Sequence, residues 1–159
     1  QAPPGANRVV APADGKVVYV GTGQYPGAPA DMTMVSIFMS VFNVHVNRVP
    51  LDGKVLDVSY NRGKFFDARD GRASCENERS GIVLETAGGV KIAFVQIAGL
   101  IARRIICYPQ ITDILKRGER YGLIRFGSRV DVYLPPDVVP LVKIGDKTVA
   151  GETVLGRIG

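Results

Sequence analysis

The stretch APADGKVVYVG, from Ala11 to Gly21, returns in altered form as VPLDGKVLDVS, from Val49 to Ser59. In each copy a proline stands two positions before Asp-Gly-Lys-Val, and valine is frequent in the residues that follow. Asp-Gly is typical of turns, and β-branched residues favour extended backbone. Both copies therefore predict a turn that leads directly into a β-strand.

Further segments of the same kind run along the chain, each short, rich in Val and Ile, and bounded by Gly, Pro or Asp. They are TMVSIFM (33–39), GIVLET (81–86) and VKIAFVQIA (90–98). Gly88-Gly89 predicts a two-residue hairpin turn between the last two. LIARRIICY (100–108) favours a bent strand, whereas DILKRG (113–118) predicts one helical turn ended by glycine.

The tail VKIGDKTVAGETVLGRIG (142–159) has a related strand–turn–strand form, with turns at Gly145-Asp146 and Gly151-Glu152. Together with the repeated Asp-Gly-Lys-Val segments, it suits barrel-sandwich folds such as those of biotinyl and lipoyl carrier domains. No lysine stands in a carrier-type hairpin tip flanked by Met, so the carrier function itself is not supported. We predict a mostly β protein: a compact barrel-sandwich-like domain with little helix.

Composition limits the classes of function. The chain has 159 residues, 46% hydrophobic and 22% charged, which indicates one globular domain. Its net charge of +5 favours anionic partners, although a solvated basic face explains the charge equally well. No basic–aromatic motif of a known nucleic-acid module is present, so no nucleic-acid partner is predicted. One histidine and two cysteines are too few for a structural zinc site, and free thiols are favoured over a disulfide.

Three residues could carry chemistry. His45 lies in an apolar run, where a histidine is more often a core residue, yet its pKa suits general acid–base work near neutrality. Asp14 reads as a turn residue, the alternative being a carboxylate that orients a histidine. Ser128 follows Gly127, outside any G-x-S-x-G motif. A hydroxyl in that position can attack the carbonyl of its own preceding peptide, and glycine has no Cβ to block the approach.

Several segments together resemble the phosphatidylserine decarboxylase family in its short bacterial and archaeal form, and the resemblance covers nearly the whole chain. They are APADGKVVYVG, SVFNVHVNRVPLDGKV, ENERSGIVLET, VQIAGLIARRIICY and GERYGLIRFGSRVDVYLP. The last is the most specific, because the family cleaves itself at a Gly-Ser bond in this context. Longer members carry Leu-Gly-Ser-Thr there, and this chain has the short-form Phe-Gly-Ser-Arg.

The resemblance implies one decarboxylase domain over residues 1–159, which cuts itself between Gly127 and Ser128 into a β chain (1–127) and an α chain (128–159). Ser128 would become a pyruvoyl group, the cofactor that condenses with the amine of phosphatidylserine. Loss of carbon dioxide would then give phosphatidylethanolamine. His45, oriented by Asp14, would be the base in self-cleavage and the proton donor after decarboxylation.

Arg48 stands where longer members have a second histidine. With Arg103, Arg104 and Arg125 it is a candidate for binding the substrate phosphate or carboxylate, the alternative being a structural arginine. The implied location is the cytoplasmic face of the cell membrane, on an anionic surface; no segment is long enough to span a bilayer. The chain begins with Gln1, so an N-terminal anchor stays open, as does a homo-oligomer.

Two other functions remain to be separated from this one. One is a non-catalytic lipid-binding or carrier-like β module, which would stay uncut. The other is a pyruvoyl decarboxylase that acts on a soluble amino acid.

Overall fold

The computed structural model describes residues 7–39, 45–61, 78–99, 105–124 and 128–158. All regular secondary structure in these ranges is β-strand, which confirms the predicted mostly β fold. The strands are β1 (Arg8–Val10), β2 (Gly15–Gly23), β3 (Met32–Phe38), β4 (His45–Arg48), β5 (Gly53–Asn61), β6 (Arg79–Glu85), β7 (Lys91–Ile97), β8 (Ile105–Cys107), β9 (Ile114–Leu115), β10 (Arg120–Ile124), β11 (Arg129–Leu134), β12 (Lys147–Thr148) and β13 (Val154–Arg157).

The strands form three antiparallel sheets. The largest has eight strands in the order β12-β2-β3-β11-β7-β6-β5-β9, and two small sheets have the orders β4-β10-β8 and β1-β13. The main core joins buried side chains of all three sheets, among them Val9, Phe94, Tyr121, Val132 and Leu155. Burying this apolar surface is the dominant favourable term in folding.

Strand alternation gives the large sheet a second apolar face. Val130 and Val132 of β11 belong to the main core, whereas Tyr133 belongs to a smaller cluster with Val95 and Ile97 of β7. Tyr25 covers this smaller cluster, with its ring centroid 5.3 Å from that of Tyr133 in an edge-on arrangement. The central strands β7 and β11 are therefore buried on both faces along most of their length.

The repeated Asp-Gly-Lys-Val segments mark an approximate two-fold symmetry within the chain. They open β2 and β5, each nine residues long, which pair with β3 and β6 in the same register. A register shift follows the same valine of the repeat, Val17 in β2 and Val55 in β5. Because β11 corresponds to β7, the symmetry axis runs between these two neighbours at the centre of the sheet.

Reciprocal backbone hydrogen bonds tie the two halves together. The Val10 amide donates to the Pro50 carbonyl at 2.9 Å, and the Arg48 amide donates to the Pro12 carbonyl at 2.8 Å. Each bond links the segment before one Asp-Gly-Lys-Val strand to the corresponding segment of the other half. The repeat in the sequence thus corresponds to a duplication of structure within the described residues.

Two local predictions are wrong in detail. Between β6 and β7 the Thr86 amide donates to the Val90 carbonyl at 2.9 Å, and Gly89 has φ of +84° while Gly88 does not have positive φ. The connection is therefore a three-residue loop with one left-handed glycine instead of a two-residue turn. The expected helical turn at 113–118 is absent, because Ile114 and Leu115 pair with the edge of β5 as β9.

The predictions for the two turns in the C-terminal tail are confirmed. The tail turns at Gly145 and Gly151 are present, with φ of +99° and +77°. Of the expected bent strand at 100–108, residues 105–107 form β8, and 100–104 lie outside the described residues.

Candidate active site around Ser128

Ser128 lies immediately before β11, the strand that passes through the middle of the large sheet between β3 and β7. It is fully buried, and its carbonyl accepts a hydrogen bond from the Met39 amide at 2.8 Å. The serine is therefore held at the start of a strand that is hydrogen-bonded to a neighbour on each side. Gly127 and Arg125 lie outside the described residues, as does the remainder of the joint between β10 and β11.

His45 is the first residue of β4, and its Cα is paired with that of Ile124, the last residue of β10. The chain then reaches Ser128 within four residues, which span at most about 14 Å. The fold thus brings the backbone of the predicted base to the joint that contains the predicted nucleophile. The His45 side chain lies outside the described part of the structure, so its role stays a prediction.

Asp14 lies exposed in the turn before β2, where its Oδ1 accepts a hydrogen bond from the Ala150 amide at 2.7 Å. Asp52 occupies the same position in the other half and accepts from the Arg117 amide at 2.6 Å. This contact matches the turn interpretation of both aspartates. Whether Asp14 also orients His45 stays a prediction.

Arg48 is half-buried in β4, with its guanidinium donating to the Gly118 carbonyl at 2.7 Å. Its side chain also lies against Gly151, where a Cβ would come within 3.1 Å of Arg48 Cδ. These contacts match the structural alternative, and phosphate binding by Arg48 stays a prediction. Arg103 and Arg104 lie outside the described residues, like Arg125.

A polar group on the core side of the large sheet was missed by sequence reasoning. Gln96 of β7 is paired with Val130, two residues after Ser128, so its Cα lies on the order of 7–8 Å from that of Ser128. The Gln96 Oε1 accepts a hydrogen bond from Asn47 Nδ2 at 2.7 Å, and both residues are fully buried. The available signal was Gln96 as the one polar residue of the run IAFVQIA (92–98), whereas Asn47 stands in a segment with other polar residues and gave no such signal.

Cys107 and Tyr121 extend this polar region along β8 and β10. Burial raises the pKa of the Cys107 thiol, and its hydrogen bond with Ser80 opposes that shift. Burial also raises the pKa of Tyr121 well above the usual value for tyrosine, with a smaller contribution from Cys107. Both groups are therefore neutral at physiological pH. Cys107 is not part of a disulfide.

The opposite face of β11 carries a buried ion pair that sequence reasoning also missed. Arg129 Nε lies 2.9 Å from Asp131 Oδ1, and the two side chains are 6% and 0% exposed. Ser128 is thus followed directly by a residue fixed by a charge pair. Removing one partner of a buried pair leaves an uncompensated charge, so the loss of Arg129 or Asp131 alone should destabilise the start of β11.

The described ranges contain no cluster of three His, Cys, Asp or Glu side chains able to hold a metal ion. They also contain no helix long and apolar enough to cross a membrane. An apolar cavity of about 440 Å³ lies beneath the segment 25–32. It reaches Pro135 and Pro136, beyond the far end of β11 from Ser128, and so is separate from the serine.

Comparison with known proteins gives consistent matches. The family model for phosphatidylserine decarboxylase matches residues 1–156. The chain is 65% identical over 158 residues to the phosphatidylserine decarboxylase proenzyme of Pelobacter propionicus, covering 99% of this chain and 72% of that protein. It is 63% identical over 150 residues to the proenzyme of the same name from Geotalea uraniireducens, covering 94% and 70%. No solved structure matches.

Proposed function

The chain belongs to the phosphatidylserine decarboxylase family, and from that premise we propose that it is a self-processing proenzyme that converts phosphatidylserine to phosphatidylethanolamine and carbon dioxide. The observation that carries the proposal is the buried Ser128, which stands directly after Gly127 at the entrance to the central strand. The word proenzyme in the names of the relatives supports cleavage of the chain. The products would be a β chain (1–127) and an α chain (128–159).

The self-processing chemistry begins at Ser128. Its Oγ attacks the Gly127 carbonyl carbon, the peptide C–N bond breaks, and an ester links the two residues while the Ser128 nitrogen becomes an amine. Removal of the Ser128 Cα proton then expels the Gly127 carboxylate and leaves a dehydroalanine. Its imine tautomer takes up water and releases ammonia, so that the α chain begins with a pyruvoyl group. These steps need a base but no external oxidant or reductant.

We assign the role of base to His45, with Asp14 as the group that orients it. The support is the pairing of His45 with Ile124, the residue that enters the cleavage joint. Histidine changes its protonation state near neutrality and can accept one proton during cleavage and donate another during decarboxylation. The two uses are compatible because they occur at different times.

The surroundings of Ser128 fit a reactive carbonyl derived from it. Ser128 is fully buried, which limits access of water, and the carboxamides of Asn47 and Gln96 lie nearby. A pyruvoyl carbonyl supplies an electron sink for the loss of carbon dioxide from a bound amino acid. The protein's own residues would bind the head group, orient its carboxylate and deliver the final proton.

The membrane surface is the proposed partner and location, on the cytoplasmic face of the cell membrane. The net charge of +5 supports attachment to anionic lipid, since each basic residue near such a surface contributes about 1 kcal/mol. Arg48, Arg103, Arg104 and Arg125 remain candidates for contact with the phosphate or carboxylate of the substrate.

Denaturing mass spectrometry of the wild type and of Ser128→Ala tests the proposal. We expect the wild type to give two chains, the second beginning with a ketone, and the variant to give one folded, uncut and inactive chain. Cleavage of Ser128→Ala at the same bond would exclude Ser128 as the nucleophile. An uncut wild type that binds anionic vesicles without carbon dioxide release would indicate the binding-module alternative. Activity on free serine, and none on phosphatidylserine in detergent, would indicate the soluble amino acid.

A further inference from the structure

A buried chain of hydrogen bonds determines which atom of the Asn47 carboxamide donates and which one remains as an acceptor. The Ile106 carbonyl can only accept, so Gln96 presents its Nε2 to it, at 3.4 Å. Gln96 Oε1 therefore faces Asn47 and accepts from Asn47 Nδ2 at 2.7 Å. The remaining polar atom, Asn47 Oδ1, must be a hydrogen-bond acceptor, and it has no partner within the described part of the chain.

The fold makes room for this chain of carboxamides. Gly122 of β10 pairs with Asn47, and a Cβ at Gly122 would lie 2.9 Å from Gln96 Oε1 and 2.5 Å from the Ile106 carbonyl. A side chain at Gly122 would therefore displace the Gln96 carboxamide. Because Gly122 has no side chain, the backbone of β10 can lie directly against the Gln96 carboxamide. The Gln96 side chain is therefore confined to this position.

The two-fold symmetry provides an internal comparison. Val9 pairs with Gly156 in the sheet β1-β13 as Asn47 pairs with Gly122 in the sheet β4-β10-β8. Leu134 pairs with Thr33 as Gln96 pairs with Ser80. Val9 and Leu134 are as fully buried as the two carboxamides.

The same architecture thus accepts apolar side chains at both positions in the other half, where Leu134 stands at the end of β11 away from Ser128. A buried acceptor without a donor costs stability, because its lost hydration is not replaced. Packing alone does not account for Asn47 and Gln96, and a donor that enters only during the reaction does.

We propose that Asn47 Oδ1 binds the amino group of the substrate, holding it beside the carbonyl formed from Ser128. This assignment rests on the proposed function. Among the polar groups of a phosphoserine head group, the phosphate and carboxylate oxygens are acceptors and the amine is the donor, so only the amine matches Asn47 Oδ1. The contact of Asn47 with Gln96, a diagonal neighbour of Ser128 across the sheet, puts the acceptor at the reacting end of the site.

The test replaces both carboxamides with the residues of the other half, as Asn47→Val combined with Gln96→Leu. Removing both partners leaves neither of them unpaired, so the variant is expected to fold and cleave itself as the wild type does. Its carbonyl should still be labelled by phenylhydrazine, which needs no head-group recognition. We expect kcat/KM for phosphatidylserine to fall on the order of 10- to 100-fold, the loss of one hydrogen bond to a charged donor.

A second variant and a control keep the result decisive. Asn47→Ser keeps a small polar side chain that is too short to reach, and it should show the same kinetic loss even if the double variant misfolds. Ser36→Ala removes a buried hydroxyl from the opposite face of the sheet and should leave kinetics unchanged. A kcat/KM within about two-fold of wild type in self-cleaved Asn47→Ser would overturn the assignment. Failure of the proposed function would look different from failure of the Asn47 assignment, because the wild type itself would then form no ketone.

Discussion

Asp14 and Asp52 make the same hydrogen bond in the two halves of the domain. Asp14 Oδ1 accepts from the Ala150 amide at 2.7 Å, and Asp52 Oδ1 accepts from the Arg117 amide at 2.6 Å. Each bond joins the turn before an Asp-Gly-Lys-Val strand to the turn after a short edge strand, β12 or β9. Both aspartates therefore stabilise the fold in the same way. An effect on self-cleavage that is found at Asp14 and missing at Asp52 would come from a role of Asp14 in the reaction.

Replacing each aspartate by alanine separates the two roles. Both Asp14→Ala and Asp52→Ala should lower the free energy of unfolding by about 1 kcal/mol, the usual value of one such hydrogen bond. Only Asp14→Ala should also slow self-cleavage, because only Asp14 is proposed to orient His45. Urea unfolding and a time course of chain cleavage by mass spectrometry measure the two effects. Equal cleavage rates in the two variants would show that Asp14 acts only in the turn.

The opening glycines of the repeated strands should be intolerant of any side chain. A Cβ at Gly15 would lie 2.2 Å from the Phe38 carbonyl, and one at Gly53 would lie 2.6 Å from the Glu85 carbonyl. Since backbone must move in both cases, Gly15→Ala and Gly53→Ala should each cost about 1–3 kcal/mol, with the larger loss at Gly15.

Gly88 is the control for these two substitutions. A Cβ there would meet only Thr86 Oγ1 at 3.9 Å, and Gly88 does not have positive φ. Gly88→Ala should therefore change the thermal midpoint little or raise it slightly. A loss at Gly88 as large as that at Gly15 would mean that the cost does not come from the close approach to backbone.

The sequence predicted the strands well because their cause is local. Valine and isoleucine between glycines favour extended backbone wherever they occur, and the echo of Asp-Gly-Lys-Val identified two equivalent strands. The prediction of a helical turn at 113–118 was wrong because the competing strand pairing involves residues that are distant in the sequence. Ile114 and Leu115 gain more by pairing with Lys54 and Gly53 at a sheet edge than by closing one helical turn.

The candidate site was predictable only in part, for a similar reason. Ser128 could be found as a candidate because it directly follows a glycine. Asn47 and Gln96 become candidates only through their hydrogen bond, which joins residues 49 positions apart in the sequence. The sequence around a carboxamide does not reveal which distant group it meets. Gln96 could be placed on the core face by its alternation with Phe94, but its partner required the fold.

Alkaline pH should destabilise the folded protein. Burial raises the pKa of Cys107 above its ordinary value of 9.0, and it raises the pKa of Tyr25 and Tyr121 above 10.0. The folded state therefore retains protons that the unfolded state releases, so the free energy of unfolding falls as pH rises above about 9. Urea unfolding between about pH 8 and pH 11 measures the slope, which should be shallower in Cys107→Ala. An unchanged slope in that variant would contradict the contribution of Cys107.

Tyr121→Phe should stabilise the protein, contrary to the usual effect of a core substitution. The Tyr121 side chain is 1% exposed, and its hydroxyl has no hydrogen-bond partner in the described ranges. Its ring packs edge-on against Phe94 at 4.9 Å between centroids, a contact that phenylalanine keeps. Removing an unsatisfied buried hydroxyl should raise the free energy of unfolding by about 1 kcal/mol.

The matched control for Tyr121 is Tyr25, whose hydroxyl is hydrogen-bonded to Ser59. Tyr25→Phe removes one partner of a made bond, so it should lower the free energy of unfolding by about 1 kcal/mol. Both variants lose a single oxygen and keep the ring, which makes the sign of the change the informative quantity. A lower thermal midpoint for Tyr121→Phe would contradict the prediction, because it would mean that the Tyr121 hydroxyl is hydrogen-bonded in solution.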